Sequence, residues 1–324
     1  MDKTDHKPLI SIGITCYNAA DTIQRAIKSA LEQSWDNIEI IIVDDCSTDR
    51  SIDVIKKSLT NINNARLIEH EKNLGPAGAR QTLLDNANGE FIAFFDDDDE
   101  SSPNRVQTQY ERIISYEKTT GASLIACYAS GKRVYPNGYE LELNAIGSKQ
   151  VIPAGSSVAD YLLFYKRNKG WFYGTGTPSC ALMLRKNTLI EAGGFDTTLR
   201  RVEDVDFAIR LALKEGHFIG CSENLFTQHA TQASDKSYKN NKDAEVQLAL
   251  KYEDYLKSVK HFEYAKRWPL IRYYHFEKKY AQMLLCLCSL FIRAPIKVTK
   301  HLLSTGPKRL LHERRVFKSA ESNP

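Results

Sequence analysis

The chain has 324 residues, 42% hydrophobic and 26% charged, a balance that excludes a disordered or collagen-like polypeptide and predicts a folded α/β unit with an appendage, or two domains. The formal net charge of +4 is uneven: residues 245–324 hold 16 Lys or Arg against 7 Asp or Glu, a balance of +9, which leaves −5 for the remainder. No apolar run reaches the roughly eighteen residues of a spanning helix. The start, MDKTDHKPLI, lacks the pattern of a secretory signal, and seven cysteines without a CxxC pair read as reduced thiols, so the expectation is a cytoplasmic protein.

In chain order, Leu9–Thr15 (LISIGIT) is a short apolar run of the kind buried in a parallel sheet. Ile23, Ala26, Ile27, Ala30 and Leu31 then share one helix face. Ile38–Val43 (IEIIIV) is a second strand ending in Asp44-Asp45, and Ile52, Ile55 and Leu59 mark the next helix. Ala65–Ile68 is a weaker third strand, Gly75-Pro76-Ala77-Gly78 opens another helix, and Glu90–Phe95 is a fourth strand running into Asp96-Asp97-Asp98-Asp99. Alternation of β and α at this spacing predicts a mostly parallel open sheet flanked by helices. Ligands bind such sheets beyond the carboxyl ends of the strands. Those ends carry Thr15-Cys16-Tyr17-Asn18, Asp44-Asp45 and the four aspartates. Neither GxGxxG nor a P-loop follows the first strand, so phosphate must be handled by other means.

Four adjacent carboxylates repel one another unless a cation or strong donors compensate. Their oxygens suit a hard divalent ion, Mg²⁺ or Mn²⁺, bridging carboxylate to phosphate; the alternative is a solvated acidic loop. Further on, Trp171–Pro178 is aromatic and glycine-rich, as a sugar-facing loop or a piece of core would be. Glu203-Asp204-Val205-Asp206 then opens a helix with Val205, Ala208, Leu211 and Ala212. Asp204 and Asp206 point about 200° apart on that helix, so only one of them faces a cleft. Ala244–Val259 reads as a helix with Leu248, Tyr252, Tyr255 and Leu256 on one face. Met283–Ile292 (MLLCLCSLFI) is followed by Arg293, Lys297, Lys300, Lys308, Arg309, Arg314 and Arg315. That composition fits either an interfacial amphipathic helix or a core helix with a solvated basic end, and charge alone admits nucleic acid or anionic lipid as a partner.

The pieces ISIGITCYNAADTIQRAIKSALEQSW, IEIIIVDDCSTDRS, NLGPAGAR, GEFIAFFDDDDESSPNRV, GTPSCALMLRKNTLIEAGGFD and RRVEDVDFAIRLALKEG occur in an order that resembles family 2 glycosyltransferases with the GT-A fold, including those that build bacterial polysaccharides. The resemblance implies a GT-A domain over 1–235, with a nucleotide-binding half (1–105) and an acceptor half (106–235), and a basic helical extension over 236–324. It implies an inverting, metal-dependent transferase taking a UDP-sugar to a glycan or lipid-linked glycan, with no nucleic acid, and with attachment of the tail to the inner face of the membrane as an option. It places Thr15, Tyr17 and Asn18 around base and ribose, Asp45 on uracil N3–H, and Arg80 near the nucleotide and acidic run. Asp96 and Asp97 compete for the ribose. Asp98 is the ligand for Mn²⁺ or Mg²⁺, with His229 reaching back towards metal or diphosphate; Trp171 and Glu203 lie near the sugars, and Asp204 is the general base. The residues alone leave duller roles open: a boundary aromatic at Tyr17, a surface ion pair at Arg80, a structural His229, and helix N-terminal acids at 203–206. A nucleotidyltransferase and a binding module without turnover are the competing functions.

Overall fold

The computed structural model describes residues 7–230 and 237–317, without the side chains of 307–317. The first six residues and the 235/236 boundary lie outside the described residues, as do the side chains of Lys308, Arg309, Arg314 and Arg315. The strands are β1 (Ile10–Cys16), β2 (Ile38–Asp44), β3 (Ala65–Glu69), β4 (Phe91–Asp96), β5 (Glu100–Ser101), β6 (Ile125–Val134), β7 (Glu140–Leu143), β8 (Leu182–Arg185) and β9 (His217–His229). The helices are α1 (Ile23–Leu31), α2 (Ser51–Ser58), α3 (Gly75–Asn86), α4 (Arg105–Thr120), α5 (Ser156–Phe164), α6 (Lys186–Glu191), α7 (Glu203–Leu213), α8 (Tyr238–Lys251), α9 (Glu253–Ser258), α10 (Phe262–Phe276), α11 (Tyr280–Arg293) and α12 (Pro295–Phe317).

Two compact units result. The first gathers Met1–Val134, Leu141–Ala159 and Arg167–His229 around one sheet of order β3-β2-β1-β4-β8-β6-β9-β5. The pairs β3–β2, β2–β1 and β1–β4 are parallel, as the β-α alternation requires. Beyond β4 the pattern changes: β8 is antiparallel to both β4 and β6, and β5 is antiparallel to β9. Every residue of β2 is buried, including Glu39. Its carboxylate accepts from Ser11 Oγ at 2.6 Å, the Asn88 and Gly89 N–H groups at 2.6 and 3.1 Å, and Arg66 Nη1 at 2.7 Å. Burial pushes that acid up, but these donors outweigh it and hold it below its usual range. The bonds tie β1, β2, β3 and the turn before β4 together at one end of the sheet and leave the other end open for chemistry.

The second unit gathers Tyr135–Glu140, Asp160–Lys166 and Ala230–Pro324. The helix expected over 244–259 is broken at Tyr252 into α8 and α9, with Leu248 and Leu256 buried as the periodicity requires. Trp268 stacks on His301 at 3.9 Å between centroids, and Tyr255 donates to Asp160 at 2.7 Å, so α9, α10 and α12 share an aromatic core with the end of α5.

Candidate active site

Parallel pairing sets Thr15 of β1 level with Asp96 of β4, and Cys16 level with Asp44 of β2. The three polar strand ends therefore stand side by side. After Asp96 the chain turns at residues 97–98 and re-enters the sheet as β5. Asp97 turns back to accept the Tyr17 N–H at 3.1 Å, joining the acidic run to the loop after β1. Burial, opposed by that N–H, pushes the Asp97 carboxyl up to about 7. Asp99 is pushed up to about 8 by burial and by the neighbouring Asp96 and Asp98, and its Oδ2 is buried without a hydrogen-bond partner. Asp96, Asp99 and Cys180 each bring one ligand atom within 4.8 Å of the others. Burial drives the Cys180 thiol far up in the metal-free protein, and the hard donors offered to an ion are the carboxylate oxygens of Asp96 and Asp99. A buried, partnerless carboxylate oxygen among crowded acids is the environment a divalent cation relieves, so the residues fit the ion that the acidic run implies.

Beneath this turn lies Arg105, fully buried, a residue the sequence reading passed over. Its guanidinium donates to Phe94 O and Ser101 Oγ, both at 2.9 Å, and to Gln109 Oε1 at 3.1 Å, and lies 4.3 Å from the Phe95 ring centre. Burial lowers it to about 10, still charged at neutral pH. It places a fixed positive charge beside Asp96 and Asp99, and the only hint was its position two residues after Pro103.

The opposite wall is built on α3 and α7. Arg80 is buried; Nη1 donates to Glu203 Oε1 and Nη2 reaches Asp96 Oδ1 at 3.5 Å. One guanidinium thus connects the acidic run to a glutamate 123 residues away in sequence. Val202, a β-branched residue, is held at φ 57° immediately before Glu203, a strained conformation that aims the start of α7. Asp204 is half-buried and accepts the Val205 N–H at 2.7 Å. Burial and the neighbouring Glu203, only partly offset by Arg80, raise its carboxyl to about 7. Asp206 points the other way, as helical spacing demands. It is fully buried and accepts from Arg210 Nε at 2.9 Å, while Arg210 also donates to the carbonyls of Ala192 and Gly194. Gly194, at φ +61°, is strained for any other residue, and a Cβ there would also displace the Gln81 amide oxygen that accepts the Phe195 N–H at 3.0 Å. The Gly-Gly-Phe turn and Asp206 therefore fix α7 against α3. Replacing Asp206 by Ala strands the Arg210 charge and should cost about 3 kcal/mol, read as a lower urea midpoint at unchanged m-value.

On the β2 side, Asn18 sits at φ 51°, its N–H on Ser47 Oγ at 2.9 Å and its side-chain oxygen accepting the Thr48 N–H at 2.7 Å. Tyr17 is 51% exposed, a free aromatic face at the strand end. Asp45 is buried and accepts the N–H groups of Leu74 and Gly75 at 2.8 and 2.7 Å, with His70 Nδ1 at 2.8 Å. A carboxylate has about four acceptor positions; two are spent on the start of α3 and a third on His70, whose Nε2 meets Thr82 Oγ1 of that helix at 2.9 Å. Beside it opens a 440 Å³ pocket lined by Lys72, Asn73, Gln81, Thr82, Thr197 and Arg200, among others, with Arg200 donating to Asn73 Oδ1 at 2.8 Å. Lys72 and Arg200 were not singled out in the sequence; the dibasic Arg200-Arg201 before Val202 was the available signal. Trp171 is half-buried with its ring 6.1 Å from that of Tyr173. His229 ends β9; its Nε2, 3.8 Å from Glu100 Oε2, is buried and without a hydrogen-bond partner.

The family model described as glycosyl transferase family 2 matches residues 11–190, more than half of the sequence and all of the acidic run. The chain belongs to glycosyl transferase family 2. Among its relatives, the UDP-Glc:α-D-GlcNAc-diphosphoundecaprenol β-1,3-glucosyltransferase WfaP of Escherichia coli is 45% identical over 103 residues, 31% of this chain and 39% of that protein. The chain spans only about half or less of several curated relatives it matches, 50% and 41% in two further cases. Among solved structures, S. aureus TarS 1–349 in complex with UDP-GlcNAc is similar with a TM-score of 0.60 at 18% identity, covering 89% of this chain and 82% of that one. The mannosyltransferase PcManGT of Pyrobaculum calidifontis, in complex with GDP-Man and Mn²⁺, gives 0.55 at 16% identity over 98% and 85%. These likenesses establish the fold, which is of the GT-A type.

Proposed function

We propose that this protein transfers a sugar from a UDP-sugar to a hydroxyl of a glycan or lipid-linked glycan, with inversion, in the synthesis of a cell-surface polysaccharide on the cytoplasmic side of the membrane. The observation that carries the reading is the Arg80 bridge, which sets the acidic run and the Glu203-Asp204 pair on one network. Thr15, Tyr17 and Asn18 receive base and ribose, Tyr17 by stacking, and Asp45 turns its remaining acceptor position to uracil N3–H. Asp97, with Asp96, is within the run that faces the ribose. Asp98, with Asp96 and Asp99 beside it and His229 at the margin, holds Mn²⁺ or Mg²⁺. When bound, such an ion neutralises charge developing on the departing diphosphate. Glu203 and Trp171 border the sugars. Asp204 takes the acceptor hydroxyl proton as that oxygen bonds to the anomeric carbon, and the bond from that carbon to the diphosphate oxygen breaks, releasing UDP. A single base and a single displacement invert the anomeric centre. WfaP, by its name, uses UDP-glucose and a diphosphoundecaprenol acceptor, which supports a UDP-sugar and a lipid-linked acceptor here. The test is UDP release from a panel of UDP-sugars, with and without Mn²⁺ or Mg²⁺. Release from at least one donor, abolished by EDTA, is expected; no release and no UDP binding under any condition refutes the proposal.

The raised carboxyls carry a pH prediction. Asp99, at about 8, is protonated in the metal-free protein at pH 6–7, so the ion must displace that proton. Apparent Mn²⁺ affinity, measured calorimetrically, should fall about tenfold per unit as pH drops below 7.5. A flat profile removes Asp99 from the ligands.

A further inference from the structure

We propose that the outward face of α11 and α12 is a docking surface for an anionic lipid bilayer. On α11 the exposed residues Ala281, Leu284, Leu285, Cys288, Phe291 and Ile292 fall within an arc of roughly 120° at 100° per residue. Leu285 is 74% and Ile292 83% exposed, whereas Leu290 on the opposite side is buried. The helix is therefore apolar on both faces, its polar residues confined to a narrow strip at Gln282, Ser289 and Arg293. A helix that is apolar nearly all round belongs in a core or in lipid, and this one has only one face in the core. Its exposed arc is too broad to be the scattered apolar surface of an ordinary soluble helix. After the break at Ala294 the pattern continues on α12, where Ile296 and Leu303 are 71% and 72% exposed, with Lys300 between them on the same face and Val298 buried behind.

Charge decides the occupant. Arg293 and Lys300 rim the apolar residues, and Lys308, Arg309, Arg314 and Arg315 follow in the sequence within a region of net charge +9. A second copy seated on this face would bring two such like-charged regions together, whereas anionic headgroups complement them. Arg and Lys stems lie along the apolar surface while their charged ends reach the headgroup level, the arrangement of an interfacial helix. Among the described residues no helix is long and apolar enough to cross a membrane, so the attachment is peripheral. The inference does not rest on the catalytic reading.

The experiment uses the full chain with sucrose-loaded vesicles, either pure phosphatidylcholine or about 30% phosphatidylglycerol in phosphatidylcholine, at about 50 mM salt. Co-sedimentation with the anionic vesicles is expected, weakened about tenfold on pure phosphatidylcholine and weakened again at about 500 mM salt. Leu285→Glu with Ile292→Glu should cut the bound fraction about tenfold or more while circular dichroism and thermal midpoint stay as in wild type, since both side chains point outward. Absence of binding to anionic vesicles, or undiminished binding by the double variant, overturns the proposal. So does a wild-type dimer in light scattering that the double variant converts to monomer without loss of vesicle binding, because the face would then belong to a second copy.

Discussion

Asp204→Asn should reduce UDP-sugar turnover about a thousandfold while leaving the affinity for UDP unchanged. The amide keeps the size of the carboxyl and an oxygen for the Val205 N–H, so α7 starts as before; what disappears is the basic oxygen. Glu203 does not replace it, because its carboxylate is buried and bound to Arg80, committed to charge pairing. Asp204 carries no such guanidinium bond, and its carboxyl stands near 7, where a base is both ionised at neutral pH and strong enough to pull a proton from a hydroxyl. The sign of the pH dependence follows: with Mn²⁺ saturating at every pH, so that protonation of Asp99 does not enter, wild-type kcat/KM should drop about tenfold per unit as pH falls through 7 and the base is protonated, while the residual activity of Asp204→Asn stays flat over the same range. Turnover within tenfold of wild type in Asp204→Asn, or a wild-type profile without the acid limb, places the base elsewhere. Removing one member of a repelling Glu203-Asp204 pair should not lower the thermal midpoint, which separates this outcome from misfolding.

Much of the first unit was legible because its signals are local. Leu9–Thr15, Ile38–Val43 and Glu90–Phe95 are continuous apolar runs ending in acids, and those runs became β1, β2 and β4. The helix faces through Ile23, Ala26, Ile27 and Ala30, and through Ala208, Leu211 and Ala212, are buried as their spacing requires. The divergence of Asp204 from Asp206 was likewise a matter of helical geometry. What local patterns do not encode is pairing between distant segments. Nothing in Leu182–Arg185 tells that it inserts antiparallel between β4 and β6, since a four-residue apolar strand reads the same in either direction. Buried charges were also opaque: Glu39, Arg105 and Arg210 are polar letters that local hydropathy assigns to the surface, and each is buried or half-buried because a specific constellation of distant donors or acceptors meets it. Arg80 was legible as a site residue but not as a bridge, because Glu203 reaches it only after α7 has been turned by the strained Val202. The tail shows the reverse limit. Its apolar run and its basic residues were both plain, yet periodicity could not tell whether the run packs inward or faces out, and α11 does both.

Asp98→Ala should abolish metal-dependent UDP binding and lower turnover by about a thousandfold, and its comparison with Asp99→Asn separates two ways of holding the ion. Asp98 follows the family resemblance, and its backbone carbonyl is gripped by Arg25, which fixes the turn that presents it. Asp99 instead lies in the cluster with Asp96 and Cys180 and owns the buried oxygen without a hydrogen-bond partner. In the absence of metal this oxygen is a liability: burial and two neighbouring acids raise the Asp99 carboxyl from the ordinary carboxylate range to about 8, so the cost to folding is full above pH 8 and fades as pH falls towards about 4, where the unfolded chain is protonated as well. Asn at this position removes the charge, so the metal-free variant at pH 8.5 should gain at least about 1 kcal/mol of stability over wild type, the gain shrinking steadily towards pH 4. With saturating Mn²⁺ the order should invert, because wild type gains binding free energy that the variant has lost. Asp98→Ala keeps Asp99 and its partnerless oxygen and removes only one neighbouring charge, so it should gain less without metal but show the same loss of Mn²⁺ stabilisation. If Asp99→Asn loses the response to Mn²⁺ and Asp98→Ala keeps it, the ion sits with Asp96 and Asp99, one residue further along the turn. If both variants keep it, neither Asp98 nor Asp99 holds the ion, and the ligand assignment at this turn fails.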